Sequence, residues 1–140
     1  MIERIDHFVL TVAAIDATCA FYERVLGCER HSAEGKPTSL SFGEQKINIH
    51  QADRTFDPKA RHPTPGAADF CLVTSMPIET FAAHLDRCGV AIEKGPIPRA
   101  GAIGPMISVY FRDPDGNLIE VSEYLSGPGP RNRREDPGER

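Results

Sequence analysis

The feature that most limits what this chain can fold into is an internal repeat. The same order of elements is read twice: a strand, a helix stopped by glycine, then a run of short strands. His7-Phe8-Val9-Leu10 overlays Asp69-Phe70-Cys71-Leu72 at an offset of 62 residues, and Gly27 overlays Gly89 at the same offset. The closing strands overlay as Ile47-Asn48-Ile49 on Ile119-Glu120-Val121. Identity between the halves is weak, so order and punctuation carry the match. Each half alone has too little core to fold. Two together predict an α+β fold: two βαβββ modules whose curved mixed sheets enclose a cavity.

The elements follow from local chemistry. Residues 4–12 are rich in β-branched and aromatic types, which suits a largely buried strand. Asp16 is placed to cap a helix in which Cys19, Phe21, Tyr22, Val25 and Leu26 recur at helical spacing before Gly27. Strands are expected near 28–33, 38–43 and 46–51. In the second half a strand at 68–74 precedes a helix opened by Ser75 and Pro77, with Ile78, Phe81, Ala82 and Leu85 on one face. Strands follow near 91–93, 106–112 and 117–123. Asp113-Pro114-Asp115-Gly116 reads as a turn, since it lacks the carboxylate spacing of a calcium loop.

The modules fall at about 1–51 and 68–125, as one domain over 1–125. The proline-rich, aperiodic stretch 52–67 joins them, and a connector this long suggests a binding loop or a link between modules. Residues 126–140 hold Gly, Pro, Arg and Glu and no large apolar side chain, which predicts a flexible tail.

Bulk properties narrow the function. A net charge of −4 argues against nucleic acid as a partner. No apolar run is long enough for a membrane helix, and the charged start Met1-Ile2-Glu3-Arg4 is unlike a signal peptide. Four cysteines without a Cys-x-x-Cys pair read as buried free thiols in a reducing cytoplasm. His62 and His84 read as surface residues.

Strand parity selects the residues able to face a cavity. Phe8 and Leu10 suit helix packing, which leaves His7 for the cavity. Glu120 stands in mid-strand between Ile119 and Val121, where a buried carboxylate needs a cation or hydrogen bonds. The repeat marks Asp69 as the equivalent of His7 and Asn48 as the equivalent of Glu120, with His50 two residues on. His7, His50, Asp69 and Glu120 are therefore candidate ligands of one divalent metal: Fe, Mn, Zn, Ni or Co. Each has a second reading. His7 could be a core histidine bonded to backbone, Asp69 a strand-start residue bonded to local N–H groups, and Glu120 a solvated strand residue. His50 could be a ligand, an acid/base group or a loop-edge residue, and Asn48 a polar cavity group. Arg99, in the segment 98–105, could meet an anionic substrate group from a mobile loop or sit solvated in a connector. Tyr110 could face the cavity or the core.

These residues carry a resemblance. The paired modules, the opening Ile5-Asp6-His7-Phe8-Val9-Leu10, the helix Phe21-Tyr22-Glu23-Arg24-Val25-Leu26-Gly27 and the ending Phe111-Arg112-Asp113-Pro114-Asp115-Gly116-Asn117-Leu118-Ile119-Glu120 resemble the vicinal oxygen chelate superfamily. That superfamily holds glyoxalase I, extradiol dioxygenases, fosfomycin-resistance enzymes and bleomycin-resistance proteins. The likeness covers about residues 1–125. It implies metal ligands at His7 and Glu120, a position at Asp69 where many members have His, and a position at Asn48 where glyoxalase I has a carboxylate. It further implies a homodimer and a small substrate held through vicinal oxygens. Lyase or isomerase chemistry is the first expectation, with Glu120 or His50 moving the proton and Asn48, Arg99 and Tyr110 contacting substrate. Ring-cleaving dioxygenation and non-catalytic ligand binding are the alternatives.

Overall fold

A computed structural model describes residues 1–125; the tail expected over 126–140 lies outside the described residues. The first module runs β1 (His7–Val12), α1 (Ile15–Leu26), β2 (Glu29–His31), β3 (Thr38–Phe42) and β4 (Gln45–Gln51). The second runs β5 (Asp69–Val73), α2 (Ile78–Arg87), β6 (Lys94–Gly101), β7 (Gly104–Arg112) and β8 (Leu118–Tyr124). Each module forms one four-stranded mixed sheet, ordered β1-β4-β3-β2 and β5-β8-β7-β6. The fold is the expected α+β pair of βαβββ modules, and its two sheets are open.

Register repeats between the modules. Val9 pairs with Asn48 across β1 and β4, and Cys71 pairs with Glu120 across β5 and β8. The overlay of Asn48 on Glu120 is therefore structural as well as sequential. One face of each sheet packs under its helix. Leu10, Val12, Leu40, Ile47 and Ile49 meet Cys19, Tyr22 and Val25, while Val109, Phe111, Ile119 and Val121 meet Ile78, Phe81 and Leu85. These residues make one continuous core. Phe111 lies 6.4 Å from Phe21 and 6.1 Å from Phe81, ring to ring, so it joins the two helices. Phe8 on β1 and Phe70 on β5 also pack across the modules, with ring centres 5.0 Å apart and planes tilted by 59°.

Several local expectations change. Asp16 lies in the first turn of α1 but makes no cap bond; it accepts from Arg30 Nη2 at 3.0 Å instead. The α2 N-terminus is capped from a distance, where Glu123 Oε1 accepts the Ile78 amide at 3.1 Å. The strand expected at 91–93 is displaced to 94–101, and the loop expected over 98–105 is the β6–β7 hairpin. Pro96 and Pro98 masked it, yet β6 pairs only with β7, and an edge strand tolerates proline. His84 is no surface group: its Nε2 lies 2.9 Å from the Val25 carbonyl and ties α2 to α1. All four cysteines are free. Cys19 and Cys28 are buried as expected, Cys88 is half-buried, and Cys71 is exposed. Among the described residues no helix is long and apolar enough to cross a membrane.

Candidate functional site

The face of the second sheet turned away from α2 carries the densest polar chemistry. Register places Cys71, Glu120 and Tyr110 side by side on β5, β8 and β7, with Ser122 and Ser108 one step along. Glu120 is half-buried, and its Oε2 accepts from Ser122 Oγ at 3.2 Å. Ser122 Oγ also lies 2.6 Å from Ser108 Oγ and 3.2 Å from Cys71 Sγ. Among the described residues, Glu120 Oε1 has no hydrogen-bond partner. Arg99 on β6 donates through Nε to Tyr110 Oη at 2.9 Å, with its guanidinium carbon 5.5 Å from the ring centre. This settles Tyr110 on the Glu120 face and Arg99 on a strand. Cys71, Arg99, Met106, Glu120 and Tyr124 line a cavity of about 360 Å³. Burial, with Glu120 adding to it, raises the Cys71 thiol above its ordinary value despite the Ser122 hydrogen bond, so Cys71 is a neutral thiol near pH 7.

The corresponding face of the first sheet carries His7, Val9 and Thr11 on β1, beside Lys46, Asn48 and His50 on β4. His7 is exposed, and its Nδ1 lies 2.7 Å from Asp6 Oδ1. A carboxylate on Nδ1 orients the ring and leaves Nε2 as the acceptor, which is how metal-binding histidines are commonly held. That hydrogen bond, first among the causes, holds the Asp6 carboxyl below its usual range. Asn48 is half-buried between Val9 and Ser39. His50 pairs with Thr11, while His7 pairs with Lys46. Four residues of strand separate those levels, roughly 13 Å. His50 is buried under Phe56, ring centres 5.4 Å apart. Asp69 is exposed at the start of β5, opposite Leu118, on the parity of Cys71 and Glu120.

The sites are held by the Asp113–Asn117 turn. Asp113 Oδ1 accepts the amides of Asp115 and Asn117 at 3.0 and 2.9 Å. Its Oδ2 accepts from Tyr22 Oη and Asn117 Nδ2, both at 2.8 Å. Asn117 Oδ1 accepts the Ala68 amide at 2.9 Å, just before Asp69. Asp115 Oδ1 accepts the Ala13 amide at 3.2 Å, just after β1. The turn thus anchors the strands that carry His7, Asp69 and Glu120.

Within one chain, no three His, Cys, Asp or Glu side chains gather as a ligand set among the described residues. The chain brings together Glu120, Cys71, Tyr110 and Arg99, and holds His7 with Asp6 on the other sheet. The donor chemistry fits a metal: an imidazole whose Nε2, and a carboxylate whose Oε1, have no hydrogen-bond partner among the described residues. Cys71, Ser108 and Ser122 are additions to the expected site. Cys71 shares strand parity with Asp69, a signal present in the sequence.

Two sheets built from repeated βαβββ modules, each offering one polar face, define the glyoxalase class of fold. The comparison with known proteins agrees: residues 4–121 match the Glyoxalase/Bleomycin resistance protein/Dioxygenase superfamily, and the chain belongs to that family. It is 50% identical over 125 residues to virulence protein STM3117 of Salmonella typhimurium, covering 89% of this chain and 87% of that protein. The crystal structure of that protein superposes with a TM-score of 0.87, covering 89% of this chain and 99% of the other. An integron cassette protein of V. cholerae is 48% identical, with a TM-score of 0.86 and coverage of 89% and 97%. Glyoxalase domain-containing protein RDO1 of Mycosarcoma maydis is 42% identical over 123 residues, 88% of this chain and 69% of that one. More distant likenesses include glutathione transferase FosA of Serratia marcescens at 24% identity over 125 residues, 86% of this chain and 81% of that one.

Proposed function

We propose that this protein is a divalent-metal-dependent enzyme acting on a small substrate held through neighbouring oxygens, with His7 and Glu120 as metal ligands. The observation that carries the reading is a pre-oriented imidazole on the polar face of one sheet and a carboxylate with one bonded oxygen on the corresponding face of the other. Asp69, on the parity of Glu120, completes the donor set. His50, about 13 Å of strand from the level of His7, is left out of it.

A bound divalent ion would supply Lewis-acid polarisation of the substrate oxygens. The chain's own residues do the rest. Arg99, fixed by Tyr110, meets an anionic group of the substrate. Glu120, one oxygen steadied by Ser122, is the group placed to move a proton. Asn48 and Tyr110 offer neutral polar contacts. Lyase or isomerase chemistry fits this inventory better than extradiol cleavage, which needs a second histidine near His7. The setting is a reducing cytoplasm, in keeping with four free thiols.

The two polar faces are open, and a second copy would close them. In the proposed homodimer the His7 face of one subunit lies against the Glu120 face of the other, so each site is shared. Non-catalytic ligand binding is the second reading, favoured by the absence of a three-residue ligand set within one chain among the described residues.

Titration of metal-free protein with Mn(II) and Zn(II), followed by calorimetry, tests the proposal. One ion per chain is expected, with affinity falling about 10- to 100-fold or more in His7→Ala and Glu120→Gln. Binding of neither ion, or unchanged affinity in both variants, favours the ligand-binding reading.

A further inference from the structure

Beneath the 52–67 connector lies a second cavity of about 190 Å³, which shares no lining residue with the Glu120 cavity. Its polar wall is Thr11, His50, Lys59, His62, Thr64 and Asn117; Leu10, Pro63 and Ala68 contribute apolar surface. His50 is only 4% exposed, and its Nδ1 is a buried atom without a hydrogen-bond partner among the described residues. An unpaired polar atom in a protein interior is costly and uncommon. The strand register of β4 fixes the residue, and Phe56 covers the ring.

Lys59 is the nearest source of charge. Burial first, and Lys59 second, disfavour protonation of His50, so the ammonium acts on the same space as the imidazole. Lys59 Nζ donates to Thr55 Oγ1 at 2.8 Å and lies 3.9 Å from Asp57 Oδ1. The Asp57 pair is long and solvent-exposed, and such a pair holds a cation weakly. A cation, an imidazole and two threonines therefore line a small space with one apolar side. Gly66 brings the connector against the Asp113–Asn117 turn. The glycine has a φ of +81°, and a Cβ there would lie 2.5 Å from the Asp115 carbonyl oxygen.

We propose that this cavity binds a small carboxylate bearing a short apolar tail. Lys59 and His50 take the carboxylate oxygens, and the tail lies against Leu10, Pro63 and Ala68. Charge-assisted hydrogen bonds from a cation and a ring N–H suit a planar carboxylate. The proposal stands apart from the metal reading, since the cavity is lined by none of His7, Asp69 and Glu120.

The test is a titration of the full chain with sodium propionate, followed through the ring nitrogens of its histidines by NMR. Propionate should shift the His50 signals saturably, and 1-propanol, its neutral counterpart, should bind at least about fivefold more weakly. Lys59→Met, a change at a solvent-exposed connector residue, should weaken propionate by about five- to tenfold while leaving the spectrum otherwise native. The proposal is overturned by no saturable shift, by propanol binding as well as propionate, or by Lys59→Met binding unchanged. Saturable binding of inorganic phosphate without binding of propionate overturns it equally.

Discussion

Tyr22 on α1 and Asp113 after β7 stand 91 residues apart in sequence, and their side-chain oxygens are 2.8 Å apart in a buried hydrogen bond. That bond crosses from one module to the other. Asp113 is 5% exposed and its carboxylate accepts four hydrogen bonds. Burial and the adjacent carboxylate raise the Tyr22 phenol far above its ordinary value, which keeps it a donor. The relative placement of β1 and β8, and so of His7 and Glu120, depends on this turn.

Breaking the link should therefore cost stability and site geometry together. Tyr22→Phe removes one donor and should destabilise by about 1–2 kcal/mol in urea unfolding. Asp113→Ala strands the Tyr22 hydroxyl, the Asn117 side-chain amide and two backbone N–H groups, and should cost about 3 kcal/mol or more. Equal, small losses for the two variants would show that the turn is not the anchor described.

Cys71, which lines the Glu120 cavity, should react before Cys19 and Cys28. It is exposed on the Glu120 face, whereas Cys19 and Cys28 are buried. Because its thiol sits above the ordinary 9.0, its alkylation rate should keep rising with pH beyond 9. Peptide mass spectrometry after timed iodoacetamide treatment reads both the order and the pH profile. Earlier labelling of Cys19 or Cys28 would contradict the packing.

Alkaline pH should destabilise the fold through the buried thiols. Burial pushes Cys28 up to about 11, with Glu23 adding to the effect. The unfolded chain loses this proton near pH 9, and the folded chain keeps it until about 11. Stability from this group is thus full below pH 9 and is lost as pH rises through 11, by about 2–3 kcal/mol. Cys19 is also raised, chiefly by burial, and acts in the same direction. Thermal melts from pH 8 to 11 should show a falling Tm, with a shallower fall in Cys28→Ala. A flat profile would contradict the burial of Cys28.

Most of the fold was legible in the sequence because both of its periods are local. The repeat overlay of Asn48 on Glu120 survives as paired registers, and parity placed Glu120 opposite Ile119 and Val121, while the side taken by Tyr110 came only with the β7–β8 register. What escaped was set by long-range contact. Nothing local to Asp16 reveals that Arg30 takes its carboxylate, and nothing local to Ile78 reveals that Glu123 caps its helix. The β6 strand was hidden by Pro96 and Pro98, whose tolerance depends on β6 lying at a sheet edge. His50 follows the parity of Asn48, but its distance along the strand from His7 and its cover by Phe56 are tertiary facts. The exposure of Cys71 likewise depends on which sheet face stays open.

Subunit mixing tests the shared metal site most directly. His7→Ala and Glu120→Gln chains are purified, each without Mn(II) binding as a homodimer, then unfolded and refolded together. If each site takes His7 from one subunit and Glu120 from the other, every mixed dimer regains one intact site, and about a quarter of all sites should bind Mn(II). Mn(II) binding that stays at the level of the separate variants, in a mixture shown to contain mixed dimers, would contradict the account.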